Sequence, residues 1–364
     1  MIATAIPVSE RDYSLTGADS RHAVEIGLAS AEWYHSDVPR AVMKDLMKRT
    51  DGPAIRDTVI WFALLIGGAW GGIHYWGTWA CVPFLFVYGV IYGSSCDSRW
   101  HECGHGTAFR TGWMNDVIYN IASFMVMRNP VTWRWSHARH HTDTYIVGRD
   151  AEIAWMRPPR TLMNFLAFFD VIGVYKSLRI LARNAAGNLS DDERNYIPES
   201  EWGKTILAAR IHMAIYAVTI LTALLMKSWL PLFLIGFPRI YGSWHMVMTG
   251  HLQHAGLADN VLDHRLNSRT VYMNPISRYI YWNMNYHVEH HMFPMVPYHA
   301  LPRLHDLIKN DLPPPNPSIL DGYREVLASL AQQKTNPEYA YRKTLPSTAR
   351  PYREEFHNLN IARG

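Results

Sequence analysis

The chain has 364 residues, of which 18% are charged and 13% aromatic, and its formal net charge is +4. A charge so small and so evenly spread argues against nucleic acid as a partner. Three cysteines (Cys81, Cys96 and Cys103) are too few for a disulfide framework, and the absence of a CxxC pair argues against a zinc ribbon or an iron–sulfur cluster. Histidine is the outlier, with 19 copies that are clustered along the chain.

The first apolar region lies between Asp57 and Asp97, where the chain contains no Asp, Glu, Lys or Arg. A run of that length fits two crossings of a bilayer core, each of roughly 20 residues. Aromatic residues at 74–79 suit an interfacial turn, so we predict spans at about 58–74 and 78–95. Four glycines in the first span have the spacing of close helix packing: Gly67, Gly68, Gly71 and Gly72.

A second hairpin is predicted at about 207–226 and 229–248, with its turn at Lys227-Ser228. Arg239 falls inside the fourth span. Because an arginine that faces lipid costs several kcal/mol, we expect Arg239 to face the helix bundle or an aqueous cavity.

Four crossings put both chain ends and the long segments 96–206 and 249–364 on one side of the membrane. These segments carry most of the Lys and Arg, which predicts the cytoplasmic side. The apolar stretches 117–127 and 162–175 are too short to cross, and we expect them at the interface or under the head. The predicted fold is therefore an all-α integral membrane protein with a cytoplasmic helical head. Its parts are an N-terminal segment (1–57), a membrane and metal domain (58–310), and a C-terminal linker, helix and tail (311–364).

Three histidine clusters carry the chemistry. They are His101-Glu-Cys-Gly-His105, His137-Ala-Arg-His140-His141 and His287-Val-Glu-His290-His291. Residues i, i+3 and i+4 of a helix share a face, so each cluster presents its imidazoles from one stretch of backbone. About 0.05 HxxHH triplets are expected by chance in such a chain, whereas two occur.

Eight imidazoles are too many for one metal and suit two metals with open positions. A histidine-rich pair with almost no carboxylate, next to a membrane, suits oxygen chemistry on an apolar substrate. Zinc is redox-inert and could only hydrolyse. We favour iron over copper because no Met or Cys ligand accompanies the clusters.

The same stretches resemble the membrane fatty acid desaturase and hydroxylase superfamily, in particular bacterial acyl-lipid desaturases. The resemblance covers roughly residues 55–310 and rests on His-Glu-Cys-Gly-His-Gly-Thr (101–107), Trp133-Arg-Trp-Ser-His-Ala-Arg-His-His141 and Asn285-Tyr-His-Val-Glu-His-His-Met-Phe-Pro294. It implies a non-haem di-iron site whose ligands are the catalytic residues. Eight of these ligands are box histidines: His101, His105, His137, His140, His141, His287, His290 and His291.

The family takes a further ligand from the cytoplasmic end of the fourth span. Leu252-Gln253-His254 resembles the Leu-Gln-His stretch at that place, which implies His254 as the ninth ligand; His251 and His245 are its rivals. Some relatives hold an asparagine where this chain has Gly250.

Four polar neighbours of the boxes are candidates to accept from the far N–H of a ligand imidazole: Glu102, Asp143, Asn285 and Glu289. Cys103 is expected to be a small filler rather than a ligand.

The resemblance implies a membrane-bound oxidoreductase that uses O2 and external electrons to insert a double bond into an alkyl or acyl chain. The HxxHH second box favours desaturation. The alternative is a hydroxylase, or monooxygenase, of an alkyl or small amino-acid-like substrate on the same scaffold. A histidine-rich metal transporter or a zinc hydrolase is a more distant alternative.

Electrons must come from a partner, because the sequence contains no His-Pro-Gly-Gly haem segment, no flavin or NAD fingerprint and no iron–sulfur cysteine set. We expect a separate ferredoxin, or a cytochrome with its reductase. Lipid membrane and an apolar chain or small molecule are the other expected partners.

Overall fold

The computed structural model describes residues 12–29, 32–153 and 167–353, and in these residues it contains helices and no β-strand. The N-terminal half contains α1 (Ser20–Glu25), α2 (Arg40–Leu46), α3 (Gly52–His74), α4 (Cys81–Gly93), α5 (Ser95–Gly104), α6 (Gly112–Met125) and α7 (Pro130–Thr142). The following part contains α8 (Val171–Ala185), α9 (Asp191–Tyr196), α10 (Trp202–Met226), α11 (Leu230–Leu234), α12 (Pro238–Tyr241) and α13 (Trp244–His254). The last part contains α14 (His264–Asn267), α15 (Pro275–Ile280), α16 (His287–Met292), α17 (Leu301–Ile308) and α18 (Ile319–Thr335).

The first predicted hairpin is formed by α3 and α4. A Cβ at Gly71 would lie 2.1 Å from the Phe84 ring, and one at Gly68 would lie 2.9 Å from the Cβ of Tyr88. The predicted close packing through glycines is thus confirmed for these positions, whereas a Cβ at Gly67 would meet nothing within 4 Å. The missing side chains let the two helices approach each other closely.

The second predicted hairpin differs from the sequence-based expectation. Its first helix, α10, is continuous, but the interval 229–248 is not one helix and divides into α11, α12 and the start of α13. Gly236 has a left-handed φ of 97°, and Pro238 provides no backbone N–H to continue the preceding turn. A broken helix is compatible with a membrane only where its backbone is covered by protein.

Arg239 on α12 faces the interior, as predicted. Its side chain is 3% exposed, and its guanidinium lies 2.6 Å from a carboxylate oxygen of Asp170, just before α8. The Met246 sulfur and the Ser243 hydroxyl accept further hydrogen bonds from the same guanidinium. The charge is therefore matched inside the bundle.

Two helices of the described chain are long and apolar enough to cross a membrane, namely Gly52–His74 and the continuous segment Glu199–Met226. The predicted apolar stretch 117–127 belongs to α6 and the turn after it, and contributes Ile118, Tyr119 and Met125 to the main buried cluster of apolar side chains. The stretch 162–175 begins outside the described residues, and its remainder enters α8.

Candidate metal centre

The three histidine boxes lie on short helices that meet in one place. The first box occupies the end of α5, which follows α4 after the single residue Ser94. The second occupies the last turns of α7, whose start is fixed by Asn129, because its side chain accepts from the backbone N–H groups of Val131 and Thr132. The third is the six-residue helix α16, which is entirely buried.

The nine predicted ligands come together as two groups, and within each group the candidate ligand atoms lie within 4.8 Å of one another. The five-histidine cluster consists of His101, His105, His137, His141 and His290. The four-histidine cluster consists of His140, His254, His287 and His291. Each HxxHH box contributes to both clusters, so neither cluster belongs to one box.

The nitrogen geometry fits metal ions. In the five-histidine cluster, Nε2 of His137 lies 3.0 Å from Nε2 of His105 and 3.1 Å from Nε2 of His141. In the four-histidine cluster, Nε2 of His287 lies 3.0 Å from Nε2 of both His254 and His291. Two nitrogens bound at right angles to one metal, each at about 2.1 Å, are about 3.0 Å apart. The donor sets therefore match two metal ions with positions left open.

The other ring nitrogens show why the Nε2 atoms point inward. Nδ1 of His137 lies 3.0 Å from Glu152, and Nδ1 of His140 lies 2.8 Å from Asp150. Nδ1 of His254 donates to the backbone carbonyl of Asn267 at 2.7 Å, since a carbonyl can only accept. A proton held on Nδ1 leaves the Nε2 lone pair free for a metal.

His291 is oriented in the same way by Thr144. The Thr144 hydroxyl donates to the carbonyl of His140, so its oxygen is free to accept from Nδ1 of His291 at 3.2 Å. This hydroxyl joins the second and third boxes within the four-histidine cluster.

Burial makes most of these imidazoles neutral. It lowers the pKa of His105 to about 4 and that of His254 to about 3. His140 is the exception: burial lowers its pKa, but the carboxylates of Asp150 and Glu152 together outweigh burial and raise it. Neutral imidazole is the form that binds metal, so eight of the nine rings are ready to bind at neutral pH, and binding at His140 is accompanied by release of its Nε2 proton.

The four polar residues predicted as partners of the ligands are engaged elsewhere. Glu102 accepts from Thr107 and from the Tyr298 backbone, and Asp143 pairs with Arg139. Glu289 bonds to His305 and Thr270, and the Asn285 amide donates to Val271. Among the described residues, none of the four has a hydrogen bond to a cluster imidazole.

The carboxylates that touch ligands are Asp150 and Glu152, which the sequence reasoning missed. They lie ten and fifteen residues after the imidazoles that they contact. No helical spacing links residues that far apart, and the turn after α7 brings them back. The signal available in the sequence was an Asp-x-Glu pair shortly after the second box.

The rival histidines lie outside both clusters. His245 bonds to the Ser277 hydroxyl, and His251 contacts the ring of Phe168. Cys103 is a buried free thiol, consistent with the predicted filler role.

Comparison with known proteins agrees with this geometry. Residues 77–323, more than half of the chain, match the fatty acid desaturase family. The chain belongs to this family, as the three boxes predicted.

The curated relatives are distant. An omega-6 fatty acid desaturase of the endoplasmic reticulum from Glycine max is 24% identical over 248 residues, which are 59% of this chain and 63% of that enzyme. The match therefore spans less than two thirds of the length of that enzyme. An omega-3 fatty acid desaturase of the endoplasmic reticulum from Nicotiana tabacum is 24% identical over 277 residues, 68% of each chain. An sn-1 oleoyl-lipid 12-desaturase from Synechocystis is 23% identical over 119 residues, 33% of each chain.

Proposed function

We propose that this protein is a membrane-bound, O2-dependent desaturase with a non-haem di-iron centre. The observation that carries the proposal is the pair of buried imidazole clusters in a chain of the fatty acid desaturase family. The names of its relatives support insertion of a double bond into an alkyl or acyl chain.

The nine clustered histidines are the proposed iron ligands: five in the five-histidine cluster and four in the four-histidine cluster. Iron bound there supplies the activation of O2 that removal of hydrogen from an unactivated C–H bond requires. Asp150, Glu152, Thr144 and the Asn267 carbonyl hold the rings in orientation and keep their protons on Nδ1.

The overall reaction consumes one O2, two electrons and two protons for each double bond. Two hydrogens leave the substrate, and two water molecules form. No haem, flavin or iron–sulfur motif occurs in the 364 residues, so we propose that a separate ferredoxin, or a cytochrome with its reductase, supplies the electrons.

We propose four membrane crossings and a cytoplasmic head, with both ends of this chain in the cytoplasm. The proposed crossings are about 58–74 in α3, 78–95 around α4, 207–226 in α10 and the broken segment 229–248, all within the domain 58–310. Residues 1–57 and 311–364 lie outside the membrane in this proposal. Apolar side chains turned outward support the two long crossings, including Ile66 at 68% and Leu224 at 69% exposure. The broken crossing is supported by the burial of Arg239 and its pairing with Asp170, because a broken helix in a membrane needs protein around it.

Purified, iron-loaded protein tests the proposal when it is supplied with a ferredoxin, its reductase and O2. We expect close to two irons per chain and an O2-dependent alkene product. With ¹⁸O2, an alcohol that retains the label would instead indicate a hydroxylase. A zinc-loaded protein active without O2 or reductant would contradict the di-iron proposal.

A further inference from the structure

A tryptophan stacked on an imidazole lies next to the four-histidine cluster, and the proposed ligand set uses neither ring. The ring centres of Trp33 and His264 are 4.2 Å apart, and the two planes are 4° from parallel. The ring of His264 lies in turn 5.0 Å, centre to centre, from that of the proposed ligand His291. The three rings therefore form one continuous series of contacts that ends at a metal ligand.

The four-histidine cluster has little other contact with aromatic rings. All four of its imidazoles are buried, so a protein that carries electrons cannot touch them. Among the described residues, two rings from outside both clusters contact them: Tyr145, at 6.2 Å from His254, and His264. His264 is the closer of the two, and it is itself 1% exposed. Electrons that enter this cluster from the surface therefore need a bridge, and His264 is the nearest ring that can provide one.

Trp33 connects the buried stack to the surface. It is 9% exposed, and it lies in the segment 32–37, whose last residue, Asp37, is exposed. Nε1 of Trp33 also donates to the backbone carbonyl of Thr142 at 3.0 Å, directly after His141 of the five-histidine cluster. One ring at the surface thus has a ring contact toward one cluster and a hydrogen bond toward the other.

Tertiary contacts fix the position of this segment. The backbone N–H of Tyr34 donates to the carbonyl of Leu262 at 2.8 Å, two residues before His264 in the chain. Arg350, from the C-terminal part of the chain, pairs with Asp37. A fixed stack suits electron transfer, because the rate of tunnelling falls steeply as the separation between neighbouring groups grows.

We propose that Trp33 and His264 form the route by which electrons from a separate one-electron carrier protein reach the metal centre, and that the carrier docks over residues 32–37. The proposal rests on the di-iron function proposed above and specifies where the electron donor of that site binds. Each transfer oxidises the carrier by one electron and reduces one proposed iron ion by one electron, and two transfers serve each double bond. The two rings act as a bridge for tunnelling, so neither ring is oxidised or reduced and no proton moves.

The test is anaerobic stopped-flow reduction of the full, iron-loaded chain in nanodiscs. The electron donors are a reduced plant-type ferredoxin and a reduced b-type cytochrome, each followed by its own visible absorbance, with dithionite as a small reductant. Titration with each carrier separates the limiting rate of electron transfer from the half-saturating concentration. Iron content and thermal midpoint are measured for every variant.

We expect Trp33→Leu and His264→Leu each to lower the limiting rate about tenfold or more, and Trp33→Phe to restore most of it because it keeps a ring. The double leucine variant should lose no more than either single variant, because both rings lie on one route. Dithionite is small enough to reach the half-buried rings of His105 and His141 directly, so its rate should stay within about twofold in every variant.

Trp202→Leu is the matched control for the route. Nε1 of Trp202 also donates to a backbone carbonyl at 3.0 Å, but its ring contacts no cluster imidazole among the described residues. Arg350→Glu tests docking on the surface, independently of any substitution in the core. It adds negative charge beside Asp37, so an acidic ferredoxin should need a several-fold higher half-saturating concentration while the limiting rate is unchanged. Arg324→Glu is its control, because Arg324 is an exposed arginine that pairs with Asp321 within α18.

Three results would overturn the route: Trp33→Leu is reduced by the carriers at the unaltered rate, dithionite reduction slows as much as reduction by the carriers, or neither carrier reduces a chain that dithionite reduces. Equal effects of Arg350→Glu and Arg324→Glu would overturn the docking site. Alkene formation by a Trp33→Leu variant that is reduced normally would refute the route and leave the desaturase function standing. Rapid reduction through Trp33 with no O2-dependent alkene from any acyl lipid would refute the function instead.

Discussion

The two histidine clusters are built from the same boxes but are held differently. The five-histidine cluster has a surplus of nitrogens, and two of its rings, His105 and His141, are only half-buried. The four-histidine cluster is fully buried. Three of its rings, His140, His291 and His254, are fixed by a carboxylate, a hydroxyl and a backbone carbonyl, whereas Nδ1 of His287 has no hydrogen-bond partner among the described residues. The five-histidine cluster would therefore secure a metal by the number of its ligands, and the four-histidine cluster by the orientation of its ligands.

The largest expected effect comes from removing a central ligand of the smaller cluster. His287→Ala leaves three nitrogens there, so we expect the iron content to fall from about two to about one per chain and activity to fall by about 100-fold or more. Metal analysis and product formation measure both.

His105→Ala is the matched change in the five-histidine cluster. It leaves four nitrogens, so the iron content should stay closer to two per chain. Equal loss of iron from the two variants would show that the extra nitrogen gives no advantage.

The next largest effects are expected from Asp150 and Glu152, the carboxylates that contact the two clusters. Asp150→Asn should weaken metal binding by the four-histidine cluster about 10–100-fold, because Asp150 orients His140. Glu152→Gln should weaken the five-histidine cluster less, because burial raises the pKa of Glu152 to about 7, so this variant removes less negative charge than Asp150→Asn, whose carboxyl has its pKa lowered by His140. Competition with a chelator gives both affinities.

Asp143→Asn is the control for both changes, because Asp143 pairs with Arg139 at the end of the same helix. Its metal affinity should be unchanged. A loss as large as that of Asp150→Asn would mean that charge alone, rather than contact with the imidazole, holds the metal.

Metal removal should lower the thermal stability of the whole head. At a free metal concentration 100 times the Kd, binding contributes about 2.7 kcal/mol per site. For a chain of 364 residues, the loss of one site corresponds to a fall in Tm of about 3–4 °C, and the loss of both sites to about 7 °C. A thermal melt before and after chelation measures it, and readdition of iron should restore the midpoint. An unchanged midpoint would argue against metal in these clusters.

The smallest effect is expected at a histidine outside both clusters. His251→Gln should keep the iron content near two and activity within about twofold, because His251 contacts Phe168 rather than a cluster ring. The matched change His254→Gln should lose iron. If His251→Gln lost iron and His254→Gln kept it, His251 rather than His254 would be the metal ligand.

Much of the site was predictable because the information is local. Spacings of three and four residues put imidazoles on one face of a helix, and the nine residues predicted from the boxes and from Leu252-Gln253-His254 are the nine that cluster. The apolar runs predicted spans at 58–74 and 207–226; the helices Gly52–His74 and Trp202–Met226 end at those residues and begin six and five residues earlier. Residue spacing and the length of an apolar run are local properties of the sequence, so they predict helix faces and helix positions without knowledge of the rest of the fold.

Tertiary structure decided how the boxes are shared. In α7, His137 and His141 belong to the five-histidine cluster, and His140 belongs to the four-histidine cluster. In α16, His287 and His291 belong to the four-histidine cluster, and His290 belongs to the five-histidine cluster. Helical geometry separates position i+3 from positions i and i+4, but only the packing of α5, α13 and α16 around α7 determines which metal each set meets. The contacts of Asp150 with His140 and of Arg239 with Asp170 also depend on tertiary packing, because the partners lie on different segments of the chain.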